Sequence, residues 1–239
     1  MNNNLDSQKA LVVFSGGQDS TTCLYWAFSK WGDENTKTIS FDYGQRHSIE
    51  LESAERICNL AGVEFDVIKT RNILRSVSPL VDSHVPMDLY NSVNEFEPGV
   101  QKTFVPGRNI LFLTIAANVA YSQGAKNIVI GVCEEDFGGY YDCRQDFINS
   151  MQKSLNQGLF GQDEGLILHA PLMSLNKKKT VELALDLGSE CIEALGFSHT
   201  CYEGEFPPCG KCHSCLLRER GFKEARVLDP LLERAMVRS

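Results

Sequence analysis

Six consecutive residues near the N-terminus, Ser15-Gly16-Gly17-Gln18-Asp19-Ser20, have the types needed to hold phosphate. Adjacent glycines remove side chains, so backbone N–H groups can close around phosphate oxygens. A helix starting directly afterwards adds partial positive charge. Ser15, Ser20 and Thr21 carry hydroxyl donors, and Asp19 is suited to a Mg2+ ion that screens the phosphate charge. The run matches neither G-x-x-x-x-G-K-[ST] nor G-x-G-x-x-G. Near the C-terminus, Cys201, Cys209, Cys212 and Cys215 form C-x7-C-x2-C-x2-C. Two-residue spacers let successive thiolates turn onto one ion, and Pro207, Pro208 and Gly210 supply the turns. Four thiolates suit Zn2+ in closed tetrahedral coordination, and they also suit an iron–sulfur cluster. His213, inside the last spacer, is a spare ligand beside an already complete set.

A phosphate loop needs a strand before it and a helix after it, and the flanking patterns are of that kind. Residues 10–14 (ALVVF) read as a short buried parallel strand. After the glycines, Leu24, Phe28 and Trp31 recur at helical spacing. Residues 37–43 and 64–69 predict two further strands, with a helix over 48–61 between them. A helix over 110–123 ends at Gly124, a strand follows over 127–132, and a helix occupies about 145–157. Residues 166–169 read as a short fifth strand, and Asn176 fits the N-cap of a helix over 177–187. The alternation predicts an α/β chain with a doubly wound, Rossmann-like parallel sheet of about five strands. Residues 71–107, with Pro79, Pro86, Pro98 and Pro106, break the rhythm and are expected to cover the site. The reading divides the chain into an ATP-binding α/β domain, 1–190, and a small C-terminal zinc-binding lobe, 191–239.

With 239 residues, one sizeable domain with a lobe accounts for the chain. Net charge is −8 and pI about 5.2, which disfavours holding a polyanion such as tRNA or DNA by general electrostatics. The longest apolar stretch, 110–121, is interrupted by Thr114 and Asn118 and falls short of the roughly 20 residues a bilayer demands. The N-terminus lacks a basic region followed by an apolar core, so a cytoplasmic protein is expected. Of nine cysteines, the five outside the cluster (Cys23, Cys58, Cys133, Cys143 and Cys191) read as small buried hydrophobes.

The loop resembles the SGGxDS loop of the PP-loop superfamily, the N-type ATP pyrophosphatases. FSGGQDSTTCL (14–24), TISFDYGQRH (38–47), FVPGRNILFL (104–113), GVCEEDFGGYYDCR (131–144) and the cysteine cluster narrow the resemblance further. In this order, over about residues 9–225, they are similar to the 7-cyano-7-deazaguanine synthase family of the queuosine pathway. That resemblance implies conversion of 7-carboxy-7-deazaguanine and ammonia to the nitrile at the expense of ATP. It also implies Mg2+ with the nucleotide, one structural Zn2+, and often a homodimer. The ATP-binding segment it implies is Phe14, Ser15, Gly16, Gly17, Gln18, Asp19, Ser20, Thr21, Thr22, Cys23 and Leu24, with Phe41 and Tyr43 near the adenine. The run Lys177-Lys178-Lys179 offers three registers for a phosphate-facing lysine; Lys177, at the helix start, is preferred.

Activating a carboxylate sets negative oxygens beside a triphosphate, which calls for cations and fixed N–H dipoles. Arg46 and Arg108 are the main candidates and Arg144 a weaker one; surface or structural ion pairing is their alternative reading. A deazaguanine presents N–H donors that a carboxylate matches. Glu134, Glu135, Asp136 and Asp142 are available, with Asp136 and Asp142 assigned to the substrate site. Tyr140, Tyr141 and Phe137 are candidates to stack on the base. Two competing readings are a tRNA-modifying PP-loop enzyme, which lacks a basic surface here, and a zinc-ribbon nucleotide-binding module, which the phosphate loop argues against.

Overall fold

A computed structural model describes residues 5–134 and 139–237. Strands and helices alternate as β1 (Asp6–Val13), α1 (Gln18–Trp31), β2 (Thr36–Asp42), α2 (Ile49–Ala61) and β3 (Phe65–Lys69). After the excursion come α3 (Arg108–Gln123), β4 (Ala125–Ile130), α4 (Gln145–Phe160), β5 (Ile167–His169) and α5 (Lys177–Asp186). Three more helices close the chain: α6 (Ser189–Leu195), α7 (His213–Ala225) and α8 (Pro230–Val237). The sheet has the order β3-β2-β1-β4-β5 with every pairing parallel. The chain therefore winds outward from β1 to β3, then crosses back to place β4 on the other side of β1. The crevice between the ends of β1 and β4 is the switch point where open α/β sheets bind ligands.

Period-two alternation builds a core on each face of the sheet. Leu11, Ile39, Ile128 and Leu168 pack with α3 and α4 through Leu113, Ala117 and Ile148. Val12, Phe14 and Val129 face the other way, against Leu24, Val181, Leu195 and Phe222. Cys191, Ala194 and Phe222 belong to this second core, so α6 and α7 share it with α1. Cys23, Cys58 and Cys191 are fully buried in it, the small-hydrophobe role expected of all five, whereas Cys133 and Cys143 are only partly buried and line the cavity at the carboxyl ends of the strands.

β1 begins four residues earlier than its apolar run. The polar stretch Asp6–Lys9 joins the sheet across a register shift against β4, and the Asn127 amide donates to the carbonyls of Ser7 and Lys9 there. The predicted cap of α5 is present, since Asn176 Oδ1 accepts from the Lys179 N–H at 3.0 Å. The excursion carries one 3-10 turn, Val93–Glu95, and is tied down at several points. Leu89 bridges to Cys212, the Tyr90 N–H donates to the Lys211 carbonyl, and Phe96 packs on His213. Among the described residues no helix is long and apolar enough to cross a membrane.

Candidate active site

A cavity of about 710 Å³ opens at the carboxyl ends of the strands. Val13 and Phe14 at the end of β1, Phe41 and Tyr43 at the end of β2, and Ile130–Glu134 at the end of β4 form its floor. Because parallel strands all end on this edge, the helices that follow begin there. Gln18, Glu50, Arg108, Asp146 and Lys177, from the first turns of α1 to α5, all line the cavity, and His213 and Ser214 add the start of α7. First-turn N–H groups have no intrahelical acceptor, so the wall is rich in donors and partial positive charge.

The phosphate loop is held by its own hydroxyls and by two neighbouring segments. Ser15 Oγ and Ser20 Oγ are 3.0 Å apart, and Ser20 Oγ accepts from the Ser15 N–H at 3.2 Å. Gly16 has φ +76, and a side chain there would meet the Ala54 nitrogen and the Glu50 carbonyl at 2.6 Å. Only glycine lets the loop lie on α2. The His199 N–H donates to the Gly16 carbonyl at 2.9 Å, stitching the C-terminal segment to the loop. Gly17, the N-cap of α1, supplies no side-chain cap, which leaves the first-turn donors for a ligand.

Among the described residues Lys177, Arg108 and Arg144 bring positive charge to the cavity wall. Lys177 Nζ lies 2.8 and 2.7 Å from the two oxygens of Asp19. Arg108 sits over the Tyr43 ring at 5.9 Å. Burial pulls the Arg108 pKa down, but Tyr43, Tyr140 and Asp142 outweigh it and raise it overall, so the guanidinium stays charged. Glu50 also lines the cavity: burial pushes its carboxyl up to about 7, against the downward pull of Arg108. An aromatic wall completes one side, with Phe41 stacked on Phe112 at 4.0 Å and Tyr43 edge-on to Phe112 at 5.5 Å. Tyr140 stacks on Phe104 and bonds Thr103 Oγ1 at 2.5 Å, which fixes its ring at the cavity edge. The Gln18 side chain is 1% exposed, and neither atom of its amide has a hydrogen-bond partner among the described residues.

Below the cavity the sulfurs of Cys201, Cys209, Cys212 and Cys215 all lie within 4.8 Å of one another. Tetrahedral Zn–S bonds of ~2.3 Å put sulfurs about 3.8 Å apart, and Cys209 and Cys215 are at 3.9 Å. The donor set and spacing fit Zn2+, with thiolates supplying all four bonds. Tyr202, His213 and Ser214, beside these cysteines, line the cavity, so the cluster stands next to the site.

The family model for queuosine biosynthesis protein QueC matches residues 9–226. The chain belongs to the QueC family. It is 50% identical over 228 residues to the 7-cyano-7-deazaguanine synthase of Gloeobacter violaceus, covering 94% of this chain and 95% of that one. Identity to the synthase of Chromobacterium violaceum is 46%, over 97% and 96% of the two chains. For that of Laribacter hongkongensis it is 45%, over 96% of each. A solved structure described as a predicted subunit of tRNA methyltransferase from Methanocaldococcus jannaschii aligns with a TM-score of 0.46 at 19% identity, covering 73% of each chain.

In this QueC-family chain the cavity gathers Phe14, Ser15, Gly17, Gln18, Asp19, Ser20, Phe41, Tyr43, Lys177 and Arg108. Gly16 backs onto α2 instead. Thr21 and Thr22 bond back to the carbonyls of Gly17 and Gln18, and Cys23 and Leu24 are in the core. Arg46 lies off the cavity wall, 3.9 Å from Glu203. Asp142 lies behind the wall, where it accepts from the Asn109 N–H at 3.4 Å. Asp136, with Glu135 and Phe137, lies outside the described residues. Glu134 lines the cavity and also caps α4, accepting from the Gln145 N–H at 2.8 Å. Tyr141 is 62% exposed and carries Arg144 over its ring at 5.3 Å. Of the three lysines, Lys177 faces the cavity while Lys178 pairs with Glu182. From the excursion, Leu80 is the lining residue. Glu50, Asn109, His199, Thr200 and Tyr202 line the cavity without having been singled out from the sequence. Position next to a motif was the available signal, since each lies within three residues of DYGQRH, Arg108 or Cys201.

Proposed function

We propose that this chain converts 7-carboxy-7-deazaguanine and ammonia to 7-cyano-7-deazaguanine with ATP, by activating first the carboxylate and then the amide. The observation that carries the reading is one cavity in which the phosphate loop, Lys177, Arg108 and an aromatic wall face each other, in a chain aligned over 94% of its length with a synthase of that name. The loop and the α1 first turn take the phosphates. Asp19 holds Mg2+, which screens the phosphate charge when bound. Lys177 and Arg108 offset the negative charge that gathers where carboxylate and phosphate meet. Phe41 and Tyr43 receive a planar base, and Asp142 orients the Arg108 helix start. Asp136 is the acid assigned to the base edge.

The carboxylate oxygen attacks the α-phosphorus, pyrophosphate leaves, and ammonia displaces AMP to give the amide. The amide oxygen is activated in the same way, and its loss as AMP with two protons leaves the nitrile. The same reading has a cytoplasmic enzyme that acts on small molecules without nucleic acid, compatible with a homodimer, and with one structural Zn2+ on the four cysteines. Incubation with the acid, ammonium and Mg-ATP, followed by mass spectrometry, is expected to give amide and nitrile; neither product would overturn the reading. Labelled ATP is expected to yield AMP and pyrophosphate, and ADP with phosphate alone would exclude attack at the α-phosphorus.

A further inference from the structure

The acid of the phosphate loop and the lysine that opens α5 are bound to each other. Lys177 Nζ donates to both oxygens of Asp19, with the lysine side chain 10% exposed and the aspartate 32%. Both backbones are fixed from behind. A side chain on Gly221 would stand 2.8 Å from Lys177 Cβ and 3.0 Å from its carbonyl oxygen, so α7 lies directly against the start of α5. A side chain on Gly131 would stand 3.1 Å from the Asp19 carbonyl carbon, so the end of β4 backs the start of α1. The pair can therefore separate only by side-chain rotation into the cavity that both residues line.

Resting on the nucleotide reading of this site, we propose that Asp19–Lys177 is an exchangeable counter-ion pair that makes divalent-cation and nucleotide binding depend on each other. A triphosphate arriving without metal draws the ammonium away and strands the Asp19 carboxylate beside a polyanion, where low dielectric enlarges the repulsion. A metal ion arriving alone must break the Lys177–Asp19 ion pair without gaining a Lys177–phosphate contact in return. The metal–nucleotide complex does both at once, replacing one internal pair with an Asp19–metal and a Lys177–phosphate contact. Such coupling is reciprocal: each ligand raises the affinity for the other by the same factor.

Calorimetric titration of the full-length, zinc-loaded protein with α,β-methylene-ATP, in Mg2+ and in Mg2+-free buffer, tests this. The readout is the ratio of the two dissociation constants. In the wild type it is expected to exceed ~10, within the usual range of coupling between sites. In Asp19→Asn metal-free affinity should improve about tenfold while Mg2+-supported affinity falls, so that the ratio collapses toward unity. In Lys177→Met the ratio should rise, because the nucleotide then meets Asp19 with no neighbouring ammonium. Should Asp19→Asn fail to fold, as judged by thermal unfolding, Lys177→Met alone decides. If either variant shifts both constants by the same factor, the coupling is wrong and the loop remains the nucleotide site. If neither variant changes either constant, the nucleotide reading of the loop falls with it.

Discussion

Glu50 couples the cavity to pH. Its carboxyl, raised to about 7 by burial, stays protonated in the folded chain at pH values where the unfolded chain has ionised. Above the usual carboxylate pKa the unfolded state binds fewer protons, so stability falls as pH rises, and it levels off once the folded group ionises near 7. Glu50→Gln removes that slope. Denaturant titrations at pH 5 and pH 8 should differ less in the variant than in the wild type by about 2 kcal/mol, a figure reduced for partial solvent contact. Ligand binding follows the same sign: an ionised Glu50 repels a nucleotide, so affinity should weaken from pH 6 to 8 in the wild type and stay flat in Glu50→Gln. Gln18 presents the opposite case, a residue that costs stability in the free chain. Its buried amide has no partner among the described residues, and such groups cost about 1–3 kcal/mol. Gln18→Leu should therefore raise the melting temperature by a few degrees while weakening substrate binding about tenfold. A lower melting temperature with unchanged KM values would show that the amide is satisfied and plays no part in binding.

At the level of elements, the close approach of α5 and α7 decides where Lys177 stands. Gly221→Ala forces a shift at a 2.8 Å contact. Overpacking of this kind costs roughly 1–3 kcal/mol, and nucleotide affinity should drop with stability because the displaced element carries Lys177. A second joint is the buried pair Arg218–Asp229, closed at 2.6 and 2.8 Å and extended to Ser198 and the Leu195 carbonyl. Arg218→Met should cost about 3–5 kcal/mol by leaving Asp229 charged and buried, and Arg218→Met/Asp229→Leu should recover much of the loss in denaturant unfolding.

These joints mark the limit of what the sequence discloses. The β-α alternation was legible because apolar runs such as 10–14 and 127–132 end at glycine or polar turns, a local pattern. Asn176 and Gly124 were legible as caps for the same reason. The strand segment Asp6–Lys9 was not, because its pairing depends on the Asn127 amide more than a hundred residues away. Helices α6, α7 and α8 went unread behind the cysteine spacing, since Arg218 reads as a surface charge until Asp229 closes on it. Phosphate-loop residues were legible through glycine chemistry, but which neighbours reach the cavity was not. Arg46 and Arg108 look alike in sequence, and only the packing of Glu203 and Tyr43 separates them.

For the molecule as a whole, parallel winding brings helix starts to one edge and gives an acidic chain of net charge −8 a local site for anions. The cysteine cluster anchors a contributor that winding does not supply, the segment running from His199 to Leu217. Purified protein should carry one zinc per chain by elemental analysis, with no iron–sulfur absorption. Removing the zinc with a strong chelator should lower the melting temperature and abolish nucleotide binding together, because Tyr202, His213 and Ser214 lose their support.

The bond from His199 to the Gly16 carbonyl has a consequence for synthesis of the chain. A nascent chain folds from its N-terminus, and the sheet is complete once residue 169 has emerged. The phosphate loop would by then be formed but bare on one side, with His199, Thr200 and the α7 start still inside the ribosome. Emergence of the segment that begins at His199 is therefore the step that makes the loop competent. A ribosome-stalled chain in which residue 190 is followed by an unstructured linker long enough to fill the exit tunnel should resist proteolysis across its sheet, yet fail to retain nucleotide.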